Sequence, residues 1–182
     1  MNLFPCQIVL ICHSCWMRSL TLMRHAKSNW SDPSLEDFDR PLNSRGQGDA
    51  PRMGRRLQNQ RFRVDRMVSS PANRAHTTAK LLAKEIDYPS EEIILEPSIY
   101  EASSKTLIQV IRSFPDASKR ILMIGHNPGF TDTVTRLTGN PFENLPTCGI
   151  VHLSFRPASW AQAENNCCDL VFFDYPKRTP GS

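Results

Sequence analysis

An arginine and a histidine stand side by side at the end of a short apolar run, in the segment Leu22-Met23-Arg24-His25. A neutral imidazole is a good nucleophile near pH 7, and a neighbouring guanidinium can hold a phosphate in place. The pair therefore suggests phosphoryl transfer to His25. Alone this signal is weak, because Arg-His dipeptides are common on protein surfaces, so the rest of an anion pocket has to come from elsewhere in the chain.

Two further segments supply such groups. In residues 69–79, Pro71 fits the start of a helix that Ser70 could cap, which places Arg74 in or near its first turn. Another apolar run ends at His126 and is followed by Asn-Pro-Gly. Ligands of open α/β sheets bind outside the carboxyl ends of the strands. Three strand ends would then bring two arginines and two histidines together.

These segments resemble the histidine phosphatase superfamily, and specifically its short SixA-like phosphohistidine phosphatase branch. The resemblance extends from about Ser19 to Lys177 and is highly specific for the superfamily, but less so for the substrate. The chain departs from the broader superfamily at Ala26, where glycine usually follows the catalytic histidine. The matching blocks, in order, are Arg24-His25-Ala26-Lys27-Ser28, Asp39-Arg40-Pro41-Leu42, Ser-Ser-Pro to Arg-Ala in 69–75, Tyr100-Glu101-Ala102-Ser103, Gly125-His126-Asn127-Pro128 and Leu170-Val171-Phe172-Phe173-Asp174.

The order of elements predicts an α/β protein with a mostly parallel sheet covered on both faces. The resemblance makes this a three-layer α/β/α sandwich of the phosphoglycerate mutase-like kind. We expect strands at 20–23, 66–69, 92–95, 120–124, 151–155 and 170–173. Helices are expected at 45–60, at 75–86, from 103 or 104 to about 114, and at 130–137. Ser44 is the expected cap of the first helix, and Gly139 is the expected C-cap of the last. Residues 158–166 are expected to form a loop.

The resemblance also implies a covalent mechanism. Arg24 and Arg74 would clamp the phosphoryl oxygens, since a guanidinium can donate two parallel hydrogen bonds. His25 would attack phosphorus and form a phosphohistidine intermediate that water later hydrolyses. His126 would be a second donor to the oxyanion, either neutral or charged.

Three more residues are candidates for the site, and two histidines are not. Arg40 matches a family arginine that reaches the phosphate or orders its loop, and Ser28 could donate to phosphate or cap the loop. Glu101 lies where the superfamily often places its general acid, a role typically worth about 10²- to 10⁴-fold in rate. The alternative for Glu101 is a carboxylate at a helix entry. His76 and His152 are expected to be structural.

The leading functional hypothesis is a phosphohistidine phosphatase acting on a phosphohistidine-bearing signalling or phosphotransfer protein. A small-molecule phosphomonoesterase, which should depend on Glu101, and a catalytically inactive phosphoprotein-binding module are the alternatives. A phosphoglycerate mutase usually needs a longer chain with an insert. No set of residues resembles a metal site, so we expect catalysis without metal or cofactor.

Composition fits a globular protein: 182 residues, 40% hydrophobic, 22% charged and a net charge of +4. The arginines of 45–66 alternate with apolar and acidic residues, which favours a solvated helix face over nucleic-acid binding. No zinc-finger spacing accompanies the six cysteines, and reduced thiols in a cytoplasmic protein fit them best. The oligomeric state is left open.

The first sixteen residues contain no Lys, Arg, Asp or Glu, and they precede the resemblance. Their uninterrupted apolar run, 8–12, is too short for a membrane span, and no positively charged segment suggests a secretory signal. We therefore expect Met17 to be the true initiator. Residues 1–16 would then be a mis-assigned start or a disordered extension, followed by a single domain at 17–182.

Overall fold

Six strands form one mixed sheet in the order β3-β2-β4-β1-β5-β6. Strands β3, β2, β4 and β1 run parallel to one another, and β5 and β6 are antiparallel to their neighbours. The computed structural model describes residues 18–178, so the predictions for 1–16 and Met17 lie outside the described residues. The strands are β1 (Arg18–Arg24), β2 (Arg66–Ser69), β3 (Ile94–Leu95), β4 (Arg120–Gly125), β5 (Ile150–Phe155) and β6 (Cys168–Asp174).

Helices cover both faces of this sheet because its central strands are apolar on both sides. In β4, Ile121 and Met123 join the core beneath α3 and α4, whereas Leu122 and Ile124 join the core beneath α1 and α2. The three-layer α/β/α architecture predicted from the sequence is thereby confirmed. The helices are α1 (Ser44–Asn59), α2 (Asn73–Glu85), α3 (Ser104–Arg112) and α4 (Gly129–Thr138).

Two helix starts differ from prediction. Asn43, not Ser44, caps α1, and its side chain accepts a hydrogen bond from the Gly46 amide. Helix α2 begins at Asn73 rather than near Pro71 and has no side-chain cap. The predicted cap, Ser70, bonds the Ala72 amide within the preceding turn, so its hydroxyl cannot reach the helix amides. The C-cap prediction is confirmed, since Gly139 adopts a left-handed φ of 69° and its N–H bonds back into α4.

Two connecting regions were also predicted imprecisely. Strand β3 is two residues shorter than expected, because Ser90–Glu92 form a 3-10 turn ahead of it. The predicted loop 158–166 contains the 3-10 turn Trp160–Gln162, closed by a capping box. Trp160 is fully buried there, and its indole N–H donates to the Ser118 carbonyl at 2.7 Å.

The arginines of α1 form ion pairs within the molecule. Their partners are Asp49 for Arg45 and Arg52, Glu85 for Arg55, and Asp174 for Arg56. The two pairs with Asp49 lie within α1, whereas Arg55 links α1 to α2 and Arg56 links α1 to the end of β6. Four arginines of α1 are therefore paired with acidic residues of the same chain.

Within residues 18–178, no helix combines the length and apolar character needed to cross a membrane.

Cys148, Cys167 and Cys168 are buried free thiols, and the sulfur atoms of the adjacent pair lie 3.8 Å apart. The other three cysteines of the chain precede the described part.

Candidate active site

The carboxyl ends of three neighbouring parallel strands bring the predicted site residues to one edge of the sheet. β1 ends at Arg24 and leads into His25, and β4 ends at Gly125, the register partner of Arg24, and leads into His126. On the other side of β4, β2 leads to the first turn of α2, which carries Arg74. The sheet topology thus brings together the four residues that the sequence predicted to form the site, Arg24, His25, Arg74 and His126.

His25 is held in one tautomer by its own neighbour. Its amide extends the parallel ladder by donating to the Gly125 carbonyl at 3.0 Å. Its ring Nδ1 lies 2.7 Å from the Ala26 carbonyl oxygen, which can only accept, so the ring proton sits on Nδ1. Nε2 therefore presents a lone pair, towards which the Arg74 Nε–H donates at 3.3 Å.

Burial keeps this imidazole uncharged. His25 is 8% exposed. Its pKa is lowered to about 3, first by burial and then by the charges of His126, Arg74 and Arg24, although the bond to Ala26 raises it. At pH 7 the ring is thus neutral and has an unprotonated nitrogen facing a guanidinium, which is the form a nucleophilic histidine needs.

His126 lies beside His25, with their ring centroids 5.0 Å apart. Burial, Arg74 and Arg24 lower the pKa of His126 to about 3, which favours the neutral form of the two left open by the sequence. Its Nε2 is 2.8 Å from the Ser70 hydroxyl, and its Nδ1 is buried without a partner among residues 18–178. With the hydroxyl donating to Nε2, the ring proton sits on Nδ1 and is available to an anion.

The two neutral histidines should make the protein less stable in acid. An unfolded histidine titrates near pH 6.5, so between pH 6.5 and 3 the unfolded chain binds more protons than the folded one. The free energy of unfolding should fall as the pH falls through this window, by up to about 1.4 kcal/mol per pH unit for each histidine. Urea unfolding of wild type and His25→Asn at pH 7.5, 6.0 and 5.0 measures this, and the variant should lose stability less steeply. Equal slopes would contradict a neutral, buried His25.

Two arginines flank the histidines, Arg24, which is half-buried, and Arg74, which is buried. Arg24 donates from Nη1 to the Leu145 carbonyl at 3.1 Å, and its buried Nε has no partner in the described chain. Arg74 faces His25 through Nε, and its remaining nitrogens point to Asp37. Burial lowers the pKa of both guanidinium groups. Their attraction for a phosphoryl group is consequently less screened by water than at the surface.

Arg40 reaches the same cluster from the loop between β1 and α1. It forms an ion pair with Asp37 and lies under the exposed Trp30 ring, with its guanidinium carbon 3.4 Å from the ring centroid. Its buried Nε has no partner within 18–178. Arg40 thus orders this loop through Asp37, one of the two roles that the sequence left open, and its Nε–H remains uncommitted within the described residues.

Three residues of the cluster were not predicted from the sequence. Asp37 contacts both Arg40 and Arg74, Tyr100 donates its hydroxyl hydrogen to Asp37 at 2.9 Å, and Ser70 bonds His126. Tyr100 and Ser70 stand inside blocks that the resemblance covers, and Asp37 precedes one of those blocks by two residues. Membership of these blocks was the available signal for Tyr100 and Ser70, whereas none was available for Asp37.

Glu101 lies at the edge of the cluster rather than inside it. It is exposed, has a left-handed φ of 50°, and within 18–178 its carboxylate makes no hydrogen bond or ion pair. Burial lowers the pKa of Arg74, and Tyr100 and Glu101 partly offset that effect, which places Glu101 within electrostatic range of the pocket. Helix α3 is capped by Ser103, so Glu101 does not serve as its cap.

Ser28 is buried and forms an isolated antiparallel bridge with Leu42. This pairing closes the loop that carries Asp37 and Arg40. Helix α1 also packs tightly here, because a Cβ at Gly46 would lie 2.3 Å from the Lys27 carbonyl oxygen. Among the described residues, the Ser28 hydroxyl has no hydrogen-bond partner, so the backbone of Ser28 organises the loop while its hydroxyl is not committed elsewhere.

The two histidines expected to be structural lie outside the cluster. His152 stacks on Phe172 at 5.1 Å and hydrogen-bonds Thr21, on the sheet face opposite to the core that holds Val151 and Leu153. His76 lies on α2, half-buried, with its pKa lowered by burial and by Lys80. No group of three or more His, Cys, Asp or Glu side chains in residues 18–178 is arranged to hold a metal ion.

Comparisons with known proteins identify the family to which this fold and this cluster of side chains belong. The sequence-family model described as the histidine phosphatase superfamily (branch 1) matches residues 20–128 of this chain. An uncharacterized chloroplastic protein of Arabidopsis thaliana is 32% identical over 155 residues, which cover 80% of this chain and 70% of that protein. A Mycobacterium tuberculosis protein is 32% identical over 165 residues, covering 85% of this chain and all of that one.

A solved structure agrees with this placement. The crystal structure of a candidate phosphohistidine phosphatase SixA from Agrobacterium tumefaciens superimposes with a TM-score of 0.75 and 26% identity. The superposition covers 87% of this chain and 98% of that one. The chain therefore belongs to the histidine phosphatase superfamily, within its SixA-like branch, and is a phosphatase.

Proposed function

We propose that the chain is a phosphohistidine phosphatase, hydrolysing protein phosphohistidine through a covalent intermediate on His25. The observation that supports this most strongly is the state of His25. Its Nδ1 proton is committed to the Ala26 carbonyl, and its unprotonated Nε2 faces the Arg74 guanidinium. A phosphoryl group drawn to that guanidinium would meet the lone pair of the nucleophile.

In the first step, His25 Nε2 attacks phosphorus in line. A bond between Nε2 and phosphorus forms while the bond from phosphorus to the substrate's imidazole nitrogen breaks, and its electron pair stays with the departing ring. Arg24 and Arg74 hold the phosphoryl oxygens, and the Nδ1–H of His126 donates to another. The phosphorylated His25 ring carries a positive charge, which its bond to the Ala26 carbonyl stabilises.

In the second step, water attacks the phosphorus of phospho-His25. The new bond joins the water oxygen to phosphorus, and the electron pair of the broken P–N bond returns to Nε2. The protons of water remain on the released phosphate or pass to solvent. His25 is left neutral, with its proton still on Nδ1, and is ready for another cycle.

The nature of the leaving group favours phosphohistidine over a phosphate ester as the substrate. The second ring nitrogen of phosphohistidine can carry a proton before reaction, so the imidazole departs neutral without an acid from the enzyme. An alkoxide needs such an acid. In this chain Glu101, the carboxylate expected there, is exposed and makes no hydrogen bond within the described residues. In this proposal Arg40 and Ser28 complete the phosphate pocket, and the partner is a phosphohistidine-bearing phosphotransfer or signalling protein.

Glu101→Gln separates the proposed substrate from a phosphomonoester. With a phosphohistidine protein, we expect phosphate release within about threefold of wild type, because the leaving imidazole needs no enzymatic proton. With phosphoserine, any release by wild type should fall about 10²- to 10⁴-fold in the variant. Initial rates of phosphate release, with EDTA present, measure both, and Glu91→Gln is the control for loss of an exposed carboxylate.

Other outcomes point to the alternatives. Release from phosphoserine alone, lost in Glu101→Gln, would identify a small-molecule phosphomonoesterase. Wild type that is inert on both substrates but binds the phosphohistidine protein would identify a phosphoprotein-binding module. Activity that disappears with EDTA and returns with a divalent metal would contradict metal-independent catalysis.

A further inference from the structure

Asp37 is the one carboxylate that the structure places in direct contact with the arginines of the pocket among residues 18–178. Its Oδ2 accepts from the Arg74 Nη2 at 2.7 Å and from the Tyr100 hydroxyl at 2.9 Å, and its Oδ1 pairs with Arg40. Its backbone carbonyl accepts from the Arg74 Nη1 at 2.5 Å. One residue therefore binds two cationic side chains and an aromatic hydroxyl.

These contacts divide the Arg74 guanidinium between two tasks. The end that bears Nη1 and Nη2 is bound to Asp37, and the Nε–H is directed at His25 Nε2. A planar guanidinium fixed at two nitrogens cannot rotate about its long side chain. The contact with Asp37 consequently decides which edge of Arg74 faces the nucleophile.

Tyr100 and Arg40 hold Asp37 in turn. The Tyr100 ring packs edge-on against His126 with centroids 5.5 Å apart, so the hydroxyl that reaches Asp37 is positioned from inside the site. Arg40 is buried and belongs to the same loop as Asp37. The side chain of Asp37 itself remains 38% exposed, at the mouth of the cluster.

Asp37 also lowers the net positive charge of the pocket that a phosphoryl group would enter. Its negative charge partly neutralises Arg74 and Arg40, two of the buried cations of the pocket. Removing it should strengthen the attraction for an anion while freeing Arg74 to turn away from the line of attack. Binding and turnover should then change in opposite directions.

We propose that Asp37 is a positioning residue for the phosphoryl transfer, holding Arg74 by its Nη nitrogens so that its Nε edge faces His25 Nε2. The proposal rests on the proposed role of His25 as nucleophile. It adds that the loop between β1 and α1 is part of the catalytic apparatus, and that the carboxylate keeps the pocket from binding phosphate too tightly for turnover.

Asp37→Asn tests this, because the amide keeps the shape but loses the charge and one acceptor. With p-nitrophenyl phosphate and a phosphohistidine protein as substrates, kcat should fall about 10- to 100-fold, which is less than the about 10²- to 10³-fold expected for removing an oriented donor, because Arg74 itself remains. The inhibition constant of inorganic phosphate should stay equal or fall several-fold. Asp37→Glu, which restores the charge on a longer arm, should recover part of kcat.

Asp39→Asn is the matched control. Asp39 belongs to the same 3-10 turn, Asp37–Asp39, is exposed, and within 18–178 its carboxylate makes no hydrogen bond or ion pair. Asp39→Asn removes the same charge as Asp37→Asn, and we expect it to leave kcat and the inhibition constant of phosphate within about twofold of wild type. Should Asp37→Asn fail to fold, Tyr100→Phe removes a single contact to the carboxylate and should still lower kcat without weakening phosphate inhibition.

Two results would overturn the proposal. One is kcat unchanged in both Asp37→Asn and Tyr100→Phe. The other is a loss of kcat matched by an equal weakening of phosphate inhibition and a lower melting temperature, which indicates a collapsed pocket. Turnover of p-nitrophenyl phosphate but not of phosphohistidine would refute the proposed substrate, while the Asp37 proposal would still be decided on the ester. Wild type inert on both substrates would refute both.

Discussion

His25→Ala should lower phosphate release from a phosphohistidine protein by at least about 10³-fold, since loss of a covalent nucleophile leaves only binding and charge stabilisation. The Gly125 carbonyl holds the backbone amide of His25, and the Ala26 carbonyl holds its ring Nδ1. Initial rates for purified wild type and variant measure the effect. Added imidazole should restore part of the activity, because a free ring can occupy the space left by the side chain.

His76→Ala is the matched control for this substitution. His76 is a half-buried histidine on α2, outside the cluster, and its removal should leave the rate within about twofold of wild type. A His25→Ala enzyme that keeps more than a tenth of wild-type activity would contradict a nucleophilic role for His25. The arginines would then have to act on water directly.

Arg74→Ala should lower kcat by about 10²- to 10³-fold on the same substrate, as expected for removal of an oriented donor to developing negative charge. The substitution removes the hydrogen bond to His25 and leaves Asp37 without its main cationic partner inside the pocket. Steady-state kinetics separate kcat from KM. Arg74→Lys should recover little, because one ammonium cannot bond Asp37 through two nitrogens and face His25 with a third.

The control for Arg74 is Arg55→Ala. Arg55 forms an ion pair with Glu85 at 3.0 Å but is itself 55% exposed, and such surface pairs contribute about 0–1 kcal/mol to stability. Its loss should leave kcat and KM unchanged. If Arg74→Ala were as active as Arg55→Ala, the role of holding the phosphoryl oxygens would have to be assigned to Arg24 and Arg40 instead.

The elements that carry the site were predictable because their patterns are local. The continuous apolar run of β4 requires a strand buried on both faces, and its end fixes His126 next to the end of β1. Ala75, Ala79 and Leu82 recur at helical spacing in α2 and do face the core. The family resemblance, and the rule that ligands bind outside the carboxyl ends of parallel strands, predicted that Arg24, His25, Arg74 and His126 meet at one edge.

Longer-range contacts were not predictable. The loop between β1 and α1 has no hydrophobic period, so nothing in it indicated that Asp37 would reach Arg74, thirty-seven positions along the chain. The tautomer of His25 depends on the exact turn after β1, which brings the Ala26 carbonyl back to the ring. Burial of Trp160 follows from contacts with Phe155 and the Ser118 carbonyl, which an unpatterned stretch does not reveal.

Trapping the phosphorylated enzyme shows directly whether His25 carries the phosphoryl group during turnover. Wild type and His25→Ala are mixed with a phosphohistidine protein, quenched in alkali within the first turnover and analysed by intact mass, followed by peptide sequencing. The nucleophilic role of His25 predicts that wild type gains one phosphoryl group, on His25, that the modification is lost in acid, and that the variant gains none. Turnover by wild type with no phosphorylated species at any quench time, or with the phosphoryl group on another residue, would contradict it.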